Sequence, residues 1–314
     1  MKHLRSSGVA ISGSAQKRKL KNIGYYHGYK GYRFAGSSNN RLPVTDFSQI
    51  ALLHDFDMAV KALAYPRMMN IETALKNYTL EAVLADSGSS SFEAIWNRSL
   101  TDYRNLRGNR SEYRDAWGKR QKLKGEIDSI IARNHKTRDV IAHFTDADKD
   151  IPIWAIFEIM TLGNFGVFYD CLDVRVKRMI AADLGMPTNL DSPRALKAII
   201  FTLKDFRNAI AHNGVVIDVR FKDHRVSRTI SDLLEHDMGV GGVDFNDITD
   251  YIVLLSYLMV KMRYSKTECR QFIASYSTVI EKYRSELPFP IYSKLVQTAA
   301  KRKLVASRDF IKEQ

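Results

Sequence analysis

Cysteine is nearly absent: the 314 residues hold two, Cys171 and Cys269. They lie far apart and form no CxxC pair, so neither a disulfide framework nor a zinc-binding spacing is expected, and a reducing cytoplasm fits. Long apolar runs are missing too. No stretch of about 18 uninterrupted apolar residues occurs, which argues against a membrane-spanning helix. The opening MKHLRSSGVAISGSAQKRKL has no continuous apolar core of the kind a secretory leader needs. There is no internal repeat, P-loop, glycine-rich dinucleotide fingerprint or GxSxG elbow, which removes the most recognisable nucleotide-binding and hydrolase classes. His3, His27, His54, His135, His224 and His236 show no metal-ligand spacing, so no metal or other cofactor is expected. Acidic residues are absent from positions 1–41, which carry nine Lys or Arg.

What the chain does have is positive charge and enough apolar content for a core. Its 45% hydrophobic residues can bury a sizeable interior. A net charge of +13 and a pI near 9.6 predict a field that attracts polyanions. RNA or other nucleic acid is preferred to an anionic membrane, because no amphipathic basic anchor is evident.

Residues 1–45 read as a basic N-terminal arm, either solvated or laid on nucleic acid. Within it GYYHGYKGYRF (24–34) interleaves tyrosines with cations, which suits base stacking next to phosphate contacts. The same tyrosines could equally pack the start of the fold. Lys17, Arg18, Lys19, Lys21, Tyr26, Lys30 and Arg33 are the candidate RNA-binding residues of this segment.

Residues 46–91 read as an N-terminal helical part of the core. Asp46 and Gln49 have the spacing of a capping box. Ile50, Leu53, Phe56, Val60, Leu63 and Ala64 recur at helical intervals behind it. Pro66 predicts a kink or break, followed by a second stripe of Met68, Ile71, Leu75 and Leu80. The DSGSSS loop at 86–91 is the best internal boundary.

Residues 92–150 read as a basic helical insertion. From Arg98 to Arg138 there are twelve basic and five acidic residues. Arg104, Arg107, Arg110 and Arg114 would line one helix face near Tyr103, Tyr113 and Trp117, either as an RNA track or as a solvated face. Gly108 and Gly118 argue against one regular helix.

Residues 151–314 complete the helical core. PIWAIFEIMTLGNFGVFYDCL (152–172) reads as a buried helix. Ser192 caps and Pro193 opens a helix carrying DFRNAIAHNG (205–214). Segments 215–221 and 225–230 flank Lys222-Asp223-His224 as a small β-hairpin. A helix over about 245–284 and a basic helical C-terminus follow.

The motif at 205–214 is the candidate site, the alternative being that its arginine-to-histidine spacing arises by chance and His212 is a structural histidine. At ~100° per residue Leu196, Ile199, Ile200, Leu203, Phe206 and Ile210 share one arc. Arg207 falls inside that arc and so needs an anion or acceptors. His212 lies about 140° round from Arg207 on the same winding, so one regular helix does not bring the two together. A helix end at Gly214, or a second copy of the motif, could close the gap. RNA cleavage by 2′-hydroxyl attack needs a base, an acid and a cation on the phosphorane oxygens. His212 could be the base or acid, Arg207 the phosphate clamp and Asn208 an orienting donor.

The order GYYHGYKGYRF, IALLHDFDMAVKALAYPRMMNIETALKN, PIWAIFEIMTLGNFGVFY, LKDFRNAIAHNGVVIDVRF resembles the Abi-like abortive-infection family (AbiD and AbiF type) of the HEPN superfamily, over about residues 20–230. The resemblance implies an all-α, HEPN-type helical bundle and metal-independent endoribonuclease activity. It also implies a phage-defence or toxin-like role, a homodimer that brings two R-x-x-x-x-H motifs together, and possible pairing with a structured non-coding RNA. Its motif positions fall on Arg207, Asn208 and His212. The competing expectation is a non-catalytic protein that holds a small structured RNA. RDVIAHF (138–144) repeats the arginine-to-histidine spacing, so Arg138 and His143 are a candidate second half-site, although the two-fold partner is preferred. If their role is structural, His143→Ala leaves cleavage near wild type.

Overall fold

The computed structural model describes residues 2–222 and 224–314, with side chains from Leu4 onward. Among them the regular structure is helical, with fifteen α-helices, two short 3-10 turns and only isolated β-bridges. The chain is all-α. It divides into two compact units, Met1–Ile71 with Asp205–Gln314, and Glu72–Lys204.

The first unit is built round the helix Ile248–Lys261, whose residues from Ile248 to Met259 are all buried. A largely apolar helix buried on every side is a core helix. The helices Lys266–Glu286 and Ala300–Glu313 pack against it and against each other. Sequence periodicity had merged the first two of these three into a single helix over 245–284. Arg263 instead adopts a left-handed backbone (φ 60°), and Ser265 with Glu268 forms a reciprocal capping box that starts the next helix. Two buried acids organise this core. Asp247 accepts N–H bonds from Thr249 and Gln297. Asp250 accepts those of Asp244 and Phe245 and pairs with buried Lys303 at 2.6 Å.

The N-terminal basic segment is not an arm. Helices Lys2–Ser6 and Gly13–His27 and a 3-10 turn at Lys30–Tyr32 fold into the first unit. Leu4, Val9, Ile11, Tyr29, Tyr32 and Leu42 are buried. The reason is apolar side chains that the charge count hid: they lie on either side of the lysine-rich helix, which itself buries none, and anchor the segment at both ends. The two readings of its tyrosines divide, with Tyr29 and Tyr32 in the core and Tyr25 and Tyr26 exposed.

Pro66 does not end its helix, which runs from Phe47 to Ser87. Both flanking stripes supply the packing that offsets a lost backbone bond: Ile50, Leu53, Phe56, Val60, Ala64, Met68, Ile71 and Leu75 are all buried. Its start follows the sequence, since Asp46 accepts the Ser48 N–H at 2.7 Å and the Gln49 amide oxygen accepts the Asp46 N–H at 3.3 Å.

In the second unit the helix Arg110–Asn134 packs on Leu162–Cys171 and Ile153–Ile159. The apolar run 152–172 is two helices, because Thr161 turns out of the first and caps the second through the Asn164 N–H. Gly108 lies between the 3-10 turn Asp102–Leu106 and that helix, whereas Gly118 sits inside it. Asp191, not Ser192, caps the motif helix, accepting the Arg194 N–H at 3.2 Å, while the Ser192 hydroxyl donates to the Pro187 carbonyl.

The expected β-hairpin after the motif does not form. Residues 215–221 are turns and irregular backbone, and Arg228–Ile230 already belong to the helix Arg228–Met238. Side-chain carboxylates take the backbone donors that a partner strand would have taken. Asp57 accepts the N–H groups of Val216 and Ile217, Asp218 accepts that of Arg220, and Val219 has a left-handed φ of 50°. Asp223, at the expected hairpin tip, lies outside the described residues.

Candidate active site

The motif helix Ser192–Ala211 buries the stripe read from its sequence: Leu196, Ile199, Ile200, Leu203, Phe206 and Ile210. Phe206 anchors the motif in the first unit by stacking on Phe221 and meeting Tyr251, with ring centroids 5.5 and 5.0 Å away. Arg207 does not follow its neighbours into the core. It is half-exposed, with Nη1 reaching the Asn208 amide oxygen at 3.5 Å, and Asn208 itself is exposed. A long guanidinium can leave an apolar arc by extending along the surface, which the angular winding of Cβ positions does not capture.

The helix ends in a Schellman turn. The Gly214 N–H donates to the Ala209 carbonyl at 2.6 Å, and the Asn213 N–H donates to Ile210 at 3.0 Å. Asn213, rather than Gly214, takes the left-handed position (φ 54°). Gly214 passes close to the helix end, where a Cβ would lie a tight 3.2 Å from the Ala209 oxygen. His212 is therefore the C-cap residue, one past the last helical position, and is exposed. Its N–H still donates to the Asn208 carbonyl at 3.0 Å. Asn208 thus meets Arg207 through its side chain and His212 through its backbone. Among the described residues the His212 imidazole has no hydrogen-bond or ion-pair partner.

A buried ion pair behind the turn holds it in place, and this pair escaped the sequence reading. Lys61 donates to the Asn213 amide oxygen at 2.9 Å and pairs with Asp57 at 2.5 Å. Asp57 is wholly buried and accepts the N–H groups of Val216 and Ile217 at 2.7 and 3.2 Å. The backbone on the far side of His212 is thus tied to the helix Phe47–Ser87. A signal for Asp57 was present: at ~100° per residue it lies on the same arc as Leu53, Val60 and Ala64, where a carboxylate must have partners.

Around this pair are other titratable groups. The His27 ring lies 6.2 Å from His54, and His54 lies 6.4 Å from Tyr32. Burial, and then the Lys61 charge, hold the His27 imidazole below its usual value, which favours the neutral ring at pH 7. Burial and the Asp57 carboxylate push the Tyr32 phenol up. On the loop after the motif, burial pushes Asp218 up to about 6 despite the Arg220 guanidinium at 2.6 Å, and burial pushes Asp250 to about 6 as well.

These two acids set a pH dependence of stability. Their folded values lie above the ordinary 3.8, so the unfolded chain releases each proton first as pH rises. Each contribution is full below about pH 4 and is lost as pH rises through about 6, on the order of 3 kcal/mol per group at 1.36 kcal/mol per pH unit. Urea unfolding of Asp218→Asn across this range is expected to show a shallower fall than wild type. An unchanged slope would mean that Asp218 is ionised in the fold throughout.

The other sequence candidates fall on several different elements. Lys17, Arg18 and Lys21 are exposed on the helix Gly13–His27, but Lys19 is engaged with Asp55 at 2.7 Å. Tyr26 is exposed and edge-on to His27, Lys30 lies over Tyr25, and Arg33 lies over Tyr29 and Phe34. Arg104, Arg107, Arg110 and Arg114 are all exposed, divided between the 3-10 turn with its cap and the following helix, so they form no single regular helix face. Arg138 is the N-cap of the short helix Asp139–Asp146, and His143 sits edge-on to Phe144. This second pair belongs to the second unit, whereas Arg207 and His212 belong to the first.

Among the described residues, no helix is long and apolar enough to cross a membrane, and no three His, Cys, Asp or Glu are grouped as metal ligands. The fold and motif thus define an all-helical protein with an arginine, an asparagine and a histidine gathered at one helix end. A family model described as Abi-like protein matches residues 18–218, most of the chain, and the chain belongs to that family. No curated protein and no solved structure gave a significant match.

Proposed function

We propose that this protein is a metal-independent endoribonuclease of the HEPN type, acting in abortive infection as a phage-defence or toxin-like effector. The observation that carries the reading is the helix end itself: His212 is exposed and unpartnered among the described residues, linked through Asn208 to Arg207, on a turn held by a buried ion pair. An imidazole in such a position is free to exchange protons with a 2′-hydroxyl or a 5′-oxygen. Arg207 clamps the phosphate, since a guanidinium matches two phosphate oxygens at once, and Asn208 orients it. Membership of the Abi-like family supports the defence role. The net charge of +13 supports RNA as substrate, and as a regulatory non-coding partner.

One chain presents one such motif in its first unit, and cleavage needs both an acid and a base. A homodimer that brings two copies together supplies them.

The test is incubation of purified protein with RNA in EDTA, with the ends of the products analysed. A 2′,3′-cyclic phosphate on the 5′ fragment is the expected outcome. Tight RNA binding with no cleavage under any activating condition would instead establish a non-catalytic RNA-holding protein. Size-exclusion chromatography before and after nuclease treatment reads the dimer and any co-purifying RNA together.

A further inference from the structure

The second unit contains a cavity of about 210 Å³, walled in part by Tyr103, Leu106, Lys119, Arg120, Asp170 and Lys197. Its charges do not balance. Lys119 and Lys197 grip opposite oxygens of Asp170, both at 2.7 Å. Burial alone would raise the Asp170 carboxyl, but the hydrogen bonds from these two lysines hold it below its ordinary value, so it is ionised at neutral pH. Lys177 takes the other acid at the cavity, Asp102, at 3.0 Å.

Arg120 is buried and has no carboxylate at ion-pair distance among the described residues. Its guanidinium donates to the carbonyls of Leu100 and Trp96 and lies over the Trp96 ring at 4.0 Å. Three lining cations, Lys119, Lys197 and Arg120, against two lining carboxylates leave an excess of one positive charge, that of Arg120. A buried guanidinium held only by carbonyls and ring faces is costly in isolation, and an anion close by would offset that cost.

The walls also have a stacking element. The Tyr103 ring meets Arg120 at 5.3 Å and Tyr113 at 5.7 Å, and Arg104 donates to its hydroxyl at 3.2 Å. The volume falls below the ~300 Å³ at which small-molecule sites begin, so the cavity has room for one ring system and not for a large cofactor. Lys119 and Lys197 stand at the rim with side chains 47% and 41% exposed, where they can meet a phosphate in solvent.

We propose that this cavity binds a single nucleotide, its base against Tyr103 and Leu106 and its phosphate at Lys119 and Lys197. The nucleotide is either a free nucleoside monophosphate or one residue of an RNA strand. Exposed Arg104, Arg107, Arg110 and Arg114 are positioned in sequence to continue the contact along a strand. The strand form rests on the nucleic-acid reading above, whereas the free form does not.

The test is calorimetric titration of the full chain with uridine and adenosine monophosphates and, separately, with a short oligouridylate. Binding of at least one, weakened about tenfold by Tyr103→Ala and retained by Tyr103→Phe, is expected. Lys119→Gln leaves Lys197 on Asp170 and should weaken binding and flatten its salt dependence. Binding of the monophosphate alone identifies a free ligand, and binding of the oligomer alone identifies a strand. No binding of either, or binding indifferent to both substitutions in variants with wild-type melting, would overturn the proposal. Because the readout is equilibrium binding, a nucleotide that binds to a protein incapable of cleavage would leave the cavity proposal standing and the nuclease reading refuted.

Discussion

Replacing His212 with alanine is expected to cut RNA cleavage by about a hundredfold to ten-thousandfold, the usual worth of a general acid or base. The fold should barely notice. His212 is exposed, sits one residue beyond the helix, and contributes only its backbone N–H to the described hydrogen bonds. Alanine keeps that N–H, so circular dichroism and urea midpoint should match wild type while single-turnover cleavage collapses. Arg207→Lys is the companion variant. A lysine keeps the charge but not the two-pronged geometry, and the loss should fall mainly on the chemical step rather than on RNA affinity. Cleavage undiminished in His212→Ala would remove this residue, and with it the proposed mechanism.

The second large effect is structural. Asp57→Ala is expected to destabilise the protein by about 3–5 kcal/mol, because it strands the Lys61 ammonium in the core and leaves two backbone donors unpaired. Both partners are essentially inaccessible, with side chains 0% and 6% exposed for Asp57 and Lys61. The double variant Asp57→Leu with Lys61→Met removes both charges and should recover part of the loss. Recovery will be incomplete, since Val216 and Ile217 still lack an acceptor. Denaturant unfolding of Asp57→Leu, Lys61→Met and the double variant closes the cycle and gives the coupling directly. A cost below about 1 kcal/mol for Asp57→Ala would mean that water reaches the pair and that the turn bearing His212 is held by other contacts. Lys61→Met alone is informative about function. It frees the Asn213 side chain, so any drop in cleavage beyond the drop in stability reports on how far the position of His212 depends on this tie.

Much of the helical layout followed from spacing. The Asp46 and Gln49 cap and the two stripes of the helix Phe47–Ser87 were visible because each depends on residues three or four apart. The stripe Leu196 to Ile210 was visible for the same reason. Errors arose where non-local packing or a side chain outbid a local preference. Pro66 breaks a helix in isolation, but core contacts on both sides carry this one through. Val216 and Ile217 have the character of a strand, but Asp57, some 160 positions away, takes their donors. Lys17 to Arg33 look like a tail by charge, but the buried side chains around them fold the segment in.

By itself the sequence determined the helical class, the stripes that become core, the basic excess and the candidate trio Arg207, Asn208 and His212. All of these rest on residue type and on spacing within a few turns. Only the tertiary structure decided that Arg207 leaves the core for the surface, that Asn213 rather than Gly214 takes the left-handed position, and that Asp57 and Lys61 brace the turn. The physical reason is reach. A helix repeat is written in neighbours, whereas a buried charge is satisfied by whatever the fold brings within hydrogen-bonding distance, and for Lys61 that acceptor is 152 residues away.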